Sequence, residues 1–263
     1  IFITQSGETS DTLKSVEKVK SLSDLPTLCI TNNENSTIWK MCDYKVACFA
    51  GTEQGIAATK SFTSQMLCLI LISLKLVENV HGIEAIENYK KSLFDLPIII
   101  EKALAKRNDI KELAHILVKE NLIVITADGI SYSLAKEAAL KIKETSYKNI
   151  SAAILGEFMH GHVAVFNNKG ALIYIAVDKI SKRSISNLEK IKADYNPKLV
   201  IIGPCAEELR PNFHINITCE NEIQQLFANV LICQQLALEI ALKLKRNVDN
   251  PRGLHKVVVD KNI

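Results

Sequence analysis

A short polar stretch near the start of the chain, Gln5-Ser6-Gly7-Glu8-Thr9, has the residue types of an anion-binding loop. It precedes a helical pattern, and a helix N-terminus presents unpaired N–H groups and a positive dipole end to an anion. Gly7 allows close backbone approach, and Thr4, Ser6 and Thr9 add hydroxyl donors. A helix capped by Ser6 or Thr9 without any ligand would use the same residues. The stretch is therefore compatible with an anion-binding loop and with a simple capped helix. The lack of a P-loop lysine and of a G-x-G-x-x-G motif disfavours a nucleotide as the ligand.

Three charged residues in the middle of the chain could carry acid–base chemistry. Glu137, Lys141 and Glu144 occur at i, i+4 and i+7, which places them on one face of a helix. An exposed ion-pair stripe has the same spacing and stabilises a helix by about 0.2–0.5 kcal/mol per pair. The residues alone favour that structural interpretation.

A histidine and a lysine are the remaining candidates. His160 lies in a loop after the acid–base helix, and a lone histidine is more often a structural hydrogen-bonding residue than a catalyst. Lys256 lies on a short tail beyond Pro251, which ends a long helical pattern. A frayed basic terminus explains that tail equally simply, although a lysine that loses its proton in a shielded site can act as a nucleophile.

Apolar runs alternate with helical patterns along the chain and predict an α/β fold. Strands separated by helices indicate parallel sheets with helices on both faces. Strands are predicted near 1–4, 26–30, 46–49, 122–126, 171–177, 198–203 and 213–218. Long helices are predicted near 56–76, 84–105 with a break at Pro97, 132–146 and 222–245. The polar segment Lys102–Leu113 is predicted to join two such units, whose ligands should lie at the carboxyl ends of the strands.

Composition narrows the function classes. A length of 263 residues suits one large or two ordinary domains. The formal net charge of +3 predicts no nucleic-acid partner. Apolar runs such as Met66–Leu74 are short for a membrane span, so no membrane partner is expected. Seven cysteines without a C-x-x-C pair disfavour zinc and a disulfide framework, and they favour a reducing, cytoplasmic location. We expect no metal and no cofactor.

Five segments, in order along the whole chain, resemble the isomerase part of the glutamine–fructose-6-phosphate aminotransferase (glucosamine-6-phosphate synthase) family. The first, Thr4–Thr12, is similar to the S-Q-S-G-E-T-x-D-T signature of sugar isomerase (SIS) domains. The other four are Ala50–Thr63, Glu137–Tyr147, Gly156–Gly161 and Asp249–Lys256. They resemble, respectively, A-G-x-E-x-G-V-A-S-T-K-x-F-T, E-G-A-L-K-L-K-E-I-S-Y, G-E-L-K-H-G and D-x-P-R-N-L-A-K.

The resemblance implies two flavodoxin-like, doubly wound SIS domains that act on a hexose 6-phosphate. It assigns a proton shuttle between sugar carbons C1 and C2 to Glu144, with Lys141 as the nearby cation. It assigns ring opening to His160, acting in the site of a neighbouring subunit in a homodimer, and a Schiff base with the ketose to Lys256. The sugar-binding residues that it implies are Thr4, Gln5, Ser6, Thr9, Ile56, Ala58, Glu137 and His255.

The chain departs from the family pattern in several places. Ala58 replaces a common serine, His162 a proline and His255 an alanine, and each change lies near the implied site. The chain opens on a strand, without the family's glutaminase domain or the opening strand and helix of the first SIS domain. We therefore expect a fragment, with an incomplete first domain at 1–95, a second at 107–245 and a catalytic tail at 246–263. A glutaminase domain or another ammonia source is expected as a partner.

Two other functions stay open at this point. Related SIS-type glucosamine-6-phosphate deaminases share the Glu137-Ala138-Ala139-Leu140-Lys141 and Ala57-Ala58-Thr59-Lys60 patterns and run the chemistry in the opposite direction. A non-catalytic sugar-phosphate-binding module would need the loop at 4–9 but not Glu144, His160 or Lys256. The joint presence of those three residues favours an enzyme.

Overall fold

A computed structural model of the protein describes residues 1–166 and 170–256, and it divides the chain into two compact units. The first unit comprises Ile1–Glu87 together with the chain from Asp249 onward, and the second comprises Asn88–Val248. The predicted domain bounds of 1–95, 107–245 and 246–263 stay a prediction, because compact units need not coincide with domains.

The first unit contains a three-stranded parallel sheet in the order β1-β2-β3. Its strands are β1 (Phe2–Thr4), β2 (Leu28–Thr31) and β3 (Tyr44–Ala47). Its main helices are α1 (Ser10–Leu22), α2 (Thr37–Met41) and α3 (Lys60–His81). Val16, Cys29, Ile38 and Cys42 form a small buried cluster between the sheet and the first two helices. This unit therefore brings the carboxyl ends of three parallel strands to one edge.

The second unit contains a five-stranded parallel sheet in the order β5-β4-β6-β7-β8. Its strands are β4 (Ile123–Ala127), β5 (Ile150–Ile154), β6 (Ala171–Ile175), β7 (Lys198–Ile202) and β8 (Phe213–Ile215). Its helices are α4 (Glu87–Phe94, which spans the boundary), α5 (Leu96–Ala105), α6 (Arg107–Leu117), α7 (Ser131–Ser146), α8 (Leu155–Phe158), α9 (Lys182–Tyr195) and α10 (Glu222–Lys243).

Helices cover both faces of the second sheet. On one face, Val124, Leu172 and Leu199 are buried in a cluster with Phe158 from α8 and Leu188 from α9. Helix α10 packs on α5, α6 and α7, and α7 packs on β4 and β5. This arrangement confirms the predicted α/β class with parallel sheets.

The structure corrects several predicted element bounds. Helix α3 begins at Lys60 rather than Ile56, so the sugar-site candidates Ile56 and Ala58 lie in a loop. Lys102–Leu113, predicted as a polar connection, is largely helical in α5 and α6, where Ile110 and Leu113 are fully buried. Strand β5 was not predicted. The predicted break near Pro97 is confirmed, because α4 ends at Phe94 and α5 begins at Leu96.

Two helices are long and apolar enough to cross a membrane by length and composition alone. Both α3 and α10 contain an 18-residue stretch of mean hydropathy 1.4. Of that stretch, 67% is buried in α10 but only 11% in α3. A buried core helix passes the same test, so the finding is weak evidence for a span. The apolar run Met66–Leu74, which is short for a membrane span, is only part of helix α3 (Lys60–His81).

Candidate functional site

The anion-binding loop lies between β1 and α1 and is folded by its own polar groups. Thr4 Oγ1 accepts a hydrogen bond from Gly7 N at 3.2 Å, and Ser6 Oγ accepts one from Glu8 N at 3.2 Å. Gly7 has φ of +73°, and a Cβ there would meet Ser36 Oγ at 2.2 Å, so glycine is required. The N-cap residue Thr9 makes no side-chain capping bond within the described residues. The Thr9 side chain therefore does not cap α1, as the ligand-free interpretation required.

The loops that follow β2 and β3 converge on the anion-binding loop. Asn33 Nδ2 donates to Ser6 O at 3.2 Å. Asn32 accepts from Ala50 N at 2.9 Å and donates through Nδ2 to Gly51 O at 2.7 Å. The two asparagines therefore tie all three carboxyl-end loops of this sheet together. Sequence analysis did not single out either residue.

A cavity of about 630 Å³ opens at this edge of the first unit. Most of its lining residues are of polar types, and they are Gln5, Ser6, Glu8, Asn32, Asn33, Glu34, Ala47, Phe49, Gly51, Thr52, Glu53 and Lys256. The tail reaches it because Ile56 N donates to Asp249 O at 3.1 Å, which returns the chain to the loop after β3. Three predicted site residues, Gln5, Ser6 and Lys256, thus share one cavity. Thr4, Thr9, Ile56, Ala58 and His255 are not among its lining residues.

A buried carboxylate, which sequence analysis missed, organises the loop between β3 and α3. Glu53 is only 6% exposed. Its Oε2 accepts from Ser61 Oγ at 2.6 Å, Ser61 N at 2.9 Å and Thr59 N at 3.2 Å, and its Oε1 accepts from Thr59 Oγ1 at 3.3 Å. Burial alone would raise the pKa of the Glu53 carboxyl, but these hydrogen bonds hold it below its usual range. Glu53 is thus a fixed negative charge at the start of α3, where the helix dipole favours it.

In the second unit, the predicted acid–base residues form a cluster on α7 in which Lys141 is buried and Glu137 and Glu144 are partly buried. The Lys141 side chain is 8% exposed, and its Nζ lies 2.6 Å from Glu144 Oε1. Nζ also lies 3.3 Å from Glu137 Oε1, an ion-pair distance whose geometry does not meet that of a hydrogen bond. Burial raises the pKa of the Glu137 carboxyl, and Lys141 offsets only part of that effect. The exposed-stripe interpretation is therefore wrong, because α7 packs this face inside the unit.

His160 follows α8 and is exposed at the surface of the second unit. Its backbone N donates to Glu157 O at 3.0 Å, and Gly161 beyond it has φ of +99°. His162 is also exposed and lines a separate cavity of about 510 Å³ beside β5, the edge strand of the second sheet. The side chain of His160 is therefore accessible to solvent.

The loop between β6 and α9 of the second unit follows a strand and precedes a helix, as the anion-binding loop does, and polar side chains of that unit lie at the start of its helix. Ser181 caps α9 by accepting from Ser184 N at 3.1 Å. Asp128, at the end of β4, accepts from Ser184 Oγ at 2.8 Å and from Tyr174 Oη at 3.0 Å. A carboxylate of the protein thus already occupies the helix N-terminal region where an anion would bind. Of the two loops, the one in the first unit is the better candidate for a ligand.

The fold and this geometry define a class: α/β proteins with parallel sheets and a candidate anion-binding loop at the carboxyl ends of the strands. The chain belongs to the SIS domain family, whose sequence pattern matches residues 1–74 and 116–245. This result confirms the family resemblance inferred from the motifs.

Individual relatives agree with this assignment. The chain is 29% identical over 265 residues to the glutamine–fructose-6-phosphate aminotransferase [isomerizing] of Francisella tularensis subsp. tularensis. The match covers 98% of this chain but 43% of that relative, so the chain spans less than half its length.

Solved structures show the same fold. The C-terminal domain of glucosamine–fructose-6-phosphate aminotransferase from Francisella tularensis superposes with a TM-score of 0.88 at 26% identity, covering 95% of this chain and 72% of that one. A glucosamine-6-phosphate deaminase from Thermotoga maritima superposes with a TM-score of 0.78 at 19% identity, covering 98% and 74% of the two chains. At 19% identity, the similarity to the deaminase shows that the two proteins share a fold and nothing more.

Proposed function

We propose that this chain carries the ketose/aldose isomerisation of a hexose 6-phosphate in amino-sugar synthesis, converting fructose 6-phosphate to glucosamine 6-phosphate. The observation that carries the proposal is the shared cavity of the first unit, where the Lys256 amine and the anion-binding residues Gln5 and Ser6 lie together. A phosphate and a carbonyl on one small substrate could meet these two groups at once. The relatedness to isomerizing aminotransferases supports the same chemistry.

In the proposed reaction, Ser6, Thr9 and the N-terminus of α1 hold the phosphate through charge-assisted hydrogen bonds. The neutral Lys256 amine adds to the C2 carbonyl of the open-chain ketose, and water leaves as the imine forms. Ammonia then displaces the lysine at C2. Glu144 takes a proton from C1 of the resulting C2 imine and returns it to C2, while the imine nitrogen gains one proton and the C1 hydroxyl loses one, so that C1 becomes the aldehyde carbon and C2 carries the amine.

The remaining roles follow from the family resemblance. His160 would open the sugar ring as an acid or base near neutral pH, from the partner subunit of a homodimer. Lys141 is the cation beside Glu144, and Glu137 would bind the sugar. The ammonia would come from a glutaminase domain or another source, and we place the protein in the cytoplasm. No observation in the structure specifically favours a deaminase or a non-catalytic module over this assignment.

Borohydride trapping tests the proposal. The natural gene product that carries these residues is incubated with fructose 6-phosphate and borohydride, which reduces an imine to a stable amine. We expect the sugar mass on the peptide that contains Lys256, and no labelling and no glucosamine 6-phosphate from the Lys256→Arg variant, because a guanidinium forms no such imine.

Lys60 is the alternative candidate for the imine-forming lysine, because its Nζ lies close to Gly51 of the cavity lining, 3.8 Å from the position that a Cβ on Gly51 would take. A label on Lys60 would make the tail a structural element and would refute the assigned nucleophile. Absence of any label, together with absence of product in the unmodified protein, would refute the proposed reaction.

A further inference from the structure

Phe49 carries two unfavourable features at once. Its φ is +52°, a left-handed conformation that is unfavourable for a residue with a Cβ. Its side chain is 83% exposed, so the ring contributes almost no buried apolar surface to the fold. Strained residues that the surrounding structure enforces are concentrated at functional sites, and here packing gives no compensating gain.

The surrounding backbone imposes the conformation of Phe49. On one side, Cys48 N donates to Thr31 O at 2.9 Å. On the other, Ala50 N donates to Asn32 Oδ1 at 2.9 Å, and Asn32 Nδ2 donates to Gly51 O at 2.7 Å. The chain before and after Phe49 is thus held by the end of β2. The residue between these anchors has little freedom to relax to negative φ.

The usual structural reason for a left-handed residue does not apply to Phe49. Among the described residues, four other non-glycine residues have positive φ: Tyr147, Asn196, Arg210 and Lys245. Each comes at or just after the end of a helix, where a left-handed residue commonly terminates the hydrogen-bond pattern. Phe49 instead follows strand β3, so helix termination does not explain it.

The position of Phe49 gives it a possible ligand contact. It lines the cavity that also contains Ser6 and Lys256, and it is the only aromatic residue among the described lining residues. The rest of the lining offers mainly amides, hydroxyls and charged groups, which suit the phosphate, the carbonyl and the hydroxyls of a sugar. A hexose also has a face of C–H groups, and the electron-rich face of an aromatic ring is complementary to it.

We propose that Phe49 is a specificity-determining residue that packs its ring on the C–H face of the hexose bound in the first unit. The inference rests on the proposed function, since it takes the ligand to be a hexose 6-phosphate. It adds that the site selects for the sugar body as well as for the phosphate. The backbone strain is retained because it presents the ring to the cavity rather than to the core.

Calorimetric titration of the natural gene product with fructose 6-phosphate and, separately, with inorganic phosphate tests this role. We expect Phe49→Asn to weaken fructose 6-phosphate binding by about tenfold, equivalent to about 1.4 kcal/mol. Phosphate affinity should not change, because phosphate has no C–H face. The thermal midpoint should not fall, since asparagine tolerates positive φ. Phe49→Tyr should keep the sugar-phosphate affinity within about twofold.

Arg210→Asn is the matched control, because it relieves the same backbone conformation in the other unit and should alter neither affinity. Unchanged sugar-phosphate binding in Phe49→Asn would overturn the inference and leave the proposed function standing. An equal loss of phosphate affinity would also overturn it, because Phe49 would then shape the loop rather than contact the sugar. An unmodified protein that binds neither ligand would remove the proposed function and this inference together.

Discussion

At the scale of single residues, Glu53 is a buried charge that stabilises the loop at the border of the candidate site. All four of its hydrogen bonds come from Thr59 and Ser61, beyond the loop that lines the cavity. Glu53 is 6% exposed and accepts four hydrogen bonds, so it holds the start of α3 against the loop that precedes it. We therefore regard Glu53 as a stability residue at the border of the candidate site.

Glu53→Gln should lower the free energy of unfolding at pH 7 by about 1.5–3 kcal/mol, the range for hydrogen bonds to a charged group. The folded-state pKa of Glu53 lies below its ordinary value of 4.5. Its contribution is thus fully present above about pH 4.5 and is lost as the pH falls through the folded-state pKa. Urea unfolding at pH 7 and at about pH 3 should show the difference between the two proteins shrinking at the lower pH.

Glu34→Gln is the control for Glu53, because Glu34 lines the same cavity but is exposed. It should change stability little at either pH. A Glu53→Gln variant as stable as the unmodified protein at pH 7, or a difference that grows toward low pH, would contradict the assigned role.

At the scale of secondary-structure elements, the carboxyl ends of β6, β7 and β8 meet α10 around Gly203. Gly203 N donates to Ile215 O at 2.9 Å, and Ala176 N donates to Ile202 O at 2.9 Å. Asn229 of α10 donates to Ala176 O at 2.7 Å. Gly203 has φ of +100°, and a Cβ there would lie 1.9 Å from Ala176 O. The close approach of these elements thus depends on the absence of a side chain.

Gly203→Ala should destabilise the protein by about 3–5 kcal/mol, because it adds both backbone strain and a clash with a hydrogen-bonded strand. Gly129→Ala is the matched control: its φ is +53°, and a Cβ there would have no atom within 4 Å. The control should cost only the conformational term of about 1–2 kcal/mol. Denaturant unfolding of both variants measures the difference in their free energies of unfolding. Equal losses of stability in the two variants would show that the strands move apart easily at Gly203.

At the scale of the whole molecule, the proposed reaction draws its residues from two subunits. The proposed chemistry places Lys256 and His160 in one reaction, with the histidine supplied by a neighbouring subunit. These residues belong to different units of one chain, and a closed homodimer would provide two equivalent sites. A pair of individually inactive variants can therefore test whether a site is shared.

Lys256→Arg and His160→Ala should each be inactive as homodimers, whereas their co-expression should restore about a quarter of the unmodified activity. The reason is combinatorial: about half of the dimers are mixed, and each mixed dimer has one site with both native residues. Differently tagged subunits allow the mixed dimers to be purified and assayed. Mixed dimers without activity would place Lys256 and His160 of the same chain in one site, whereas an active homodimer of either variant would exclude that residue from the reaction.

Much of the fold follows from local sequence, because periodicity is a local property. The apolar runs at β1, β4 and β7 and the 3.6-residue pattern of α10 predict an α/β chain without knowledge of any long-range contact. The same local signals fail for β5, whose Ile-Ser-Ala-Ala-Ile sequence is short and rich in small residues. They also fail at α5 and α6, where the polar composition of Lys102–Leu113 predicts a connection rather than helices.

The sequence by itself determined the candidate residue types and the family, because the motifs are defined by the order of residues along the chain. Tertiary structure decided which candidates are buried and which meet. Lys141 and Glu144 are removed from solvent only because α7 packs against the sheet and α10. Lys256 joins the anion-binding loop only because Asp249 pairs with Ile56, and Phe49 adopts positive φ only where Asn32 holds its neighbours. Each of these outcomes depends on contacts between residues far apart in the chain, which no local pattern encodes.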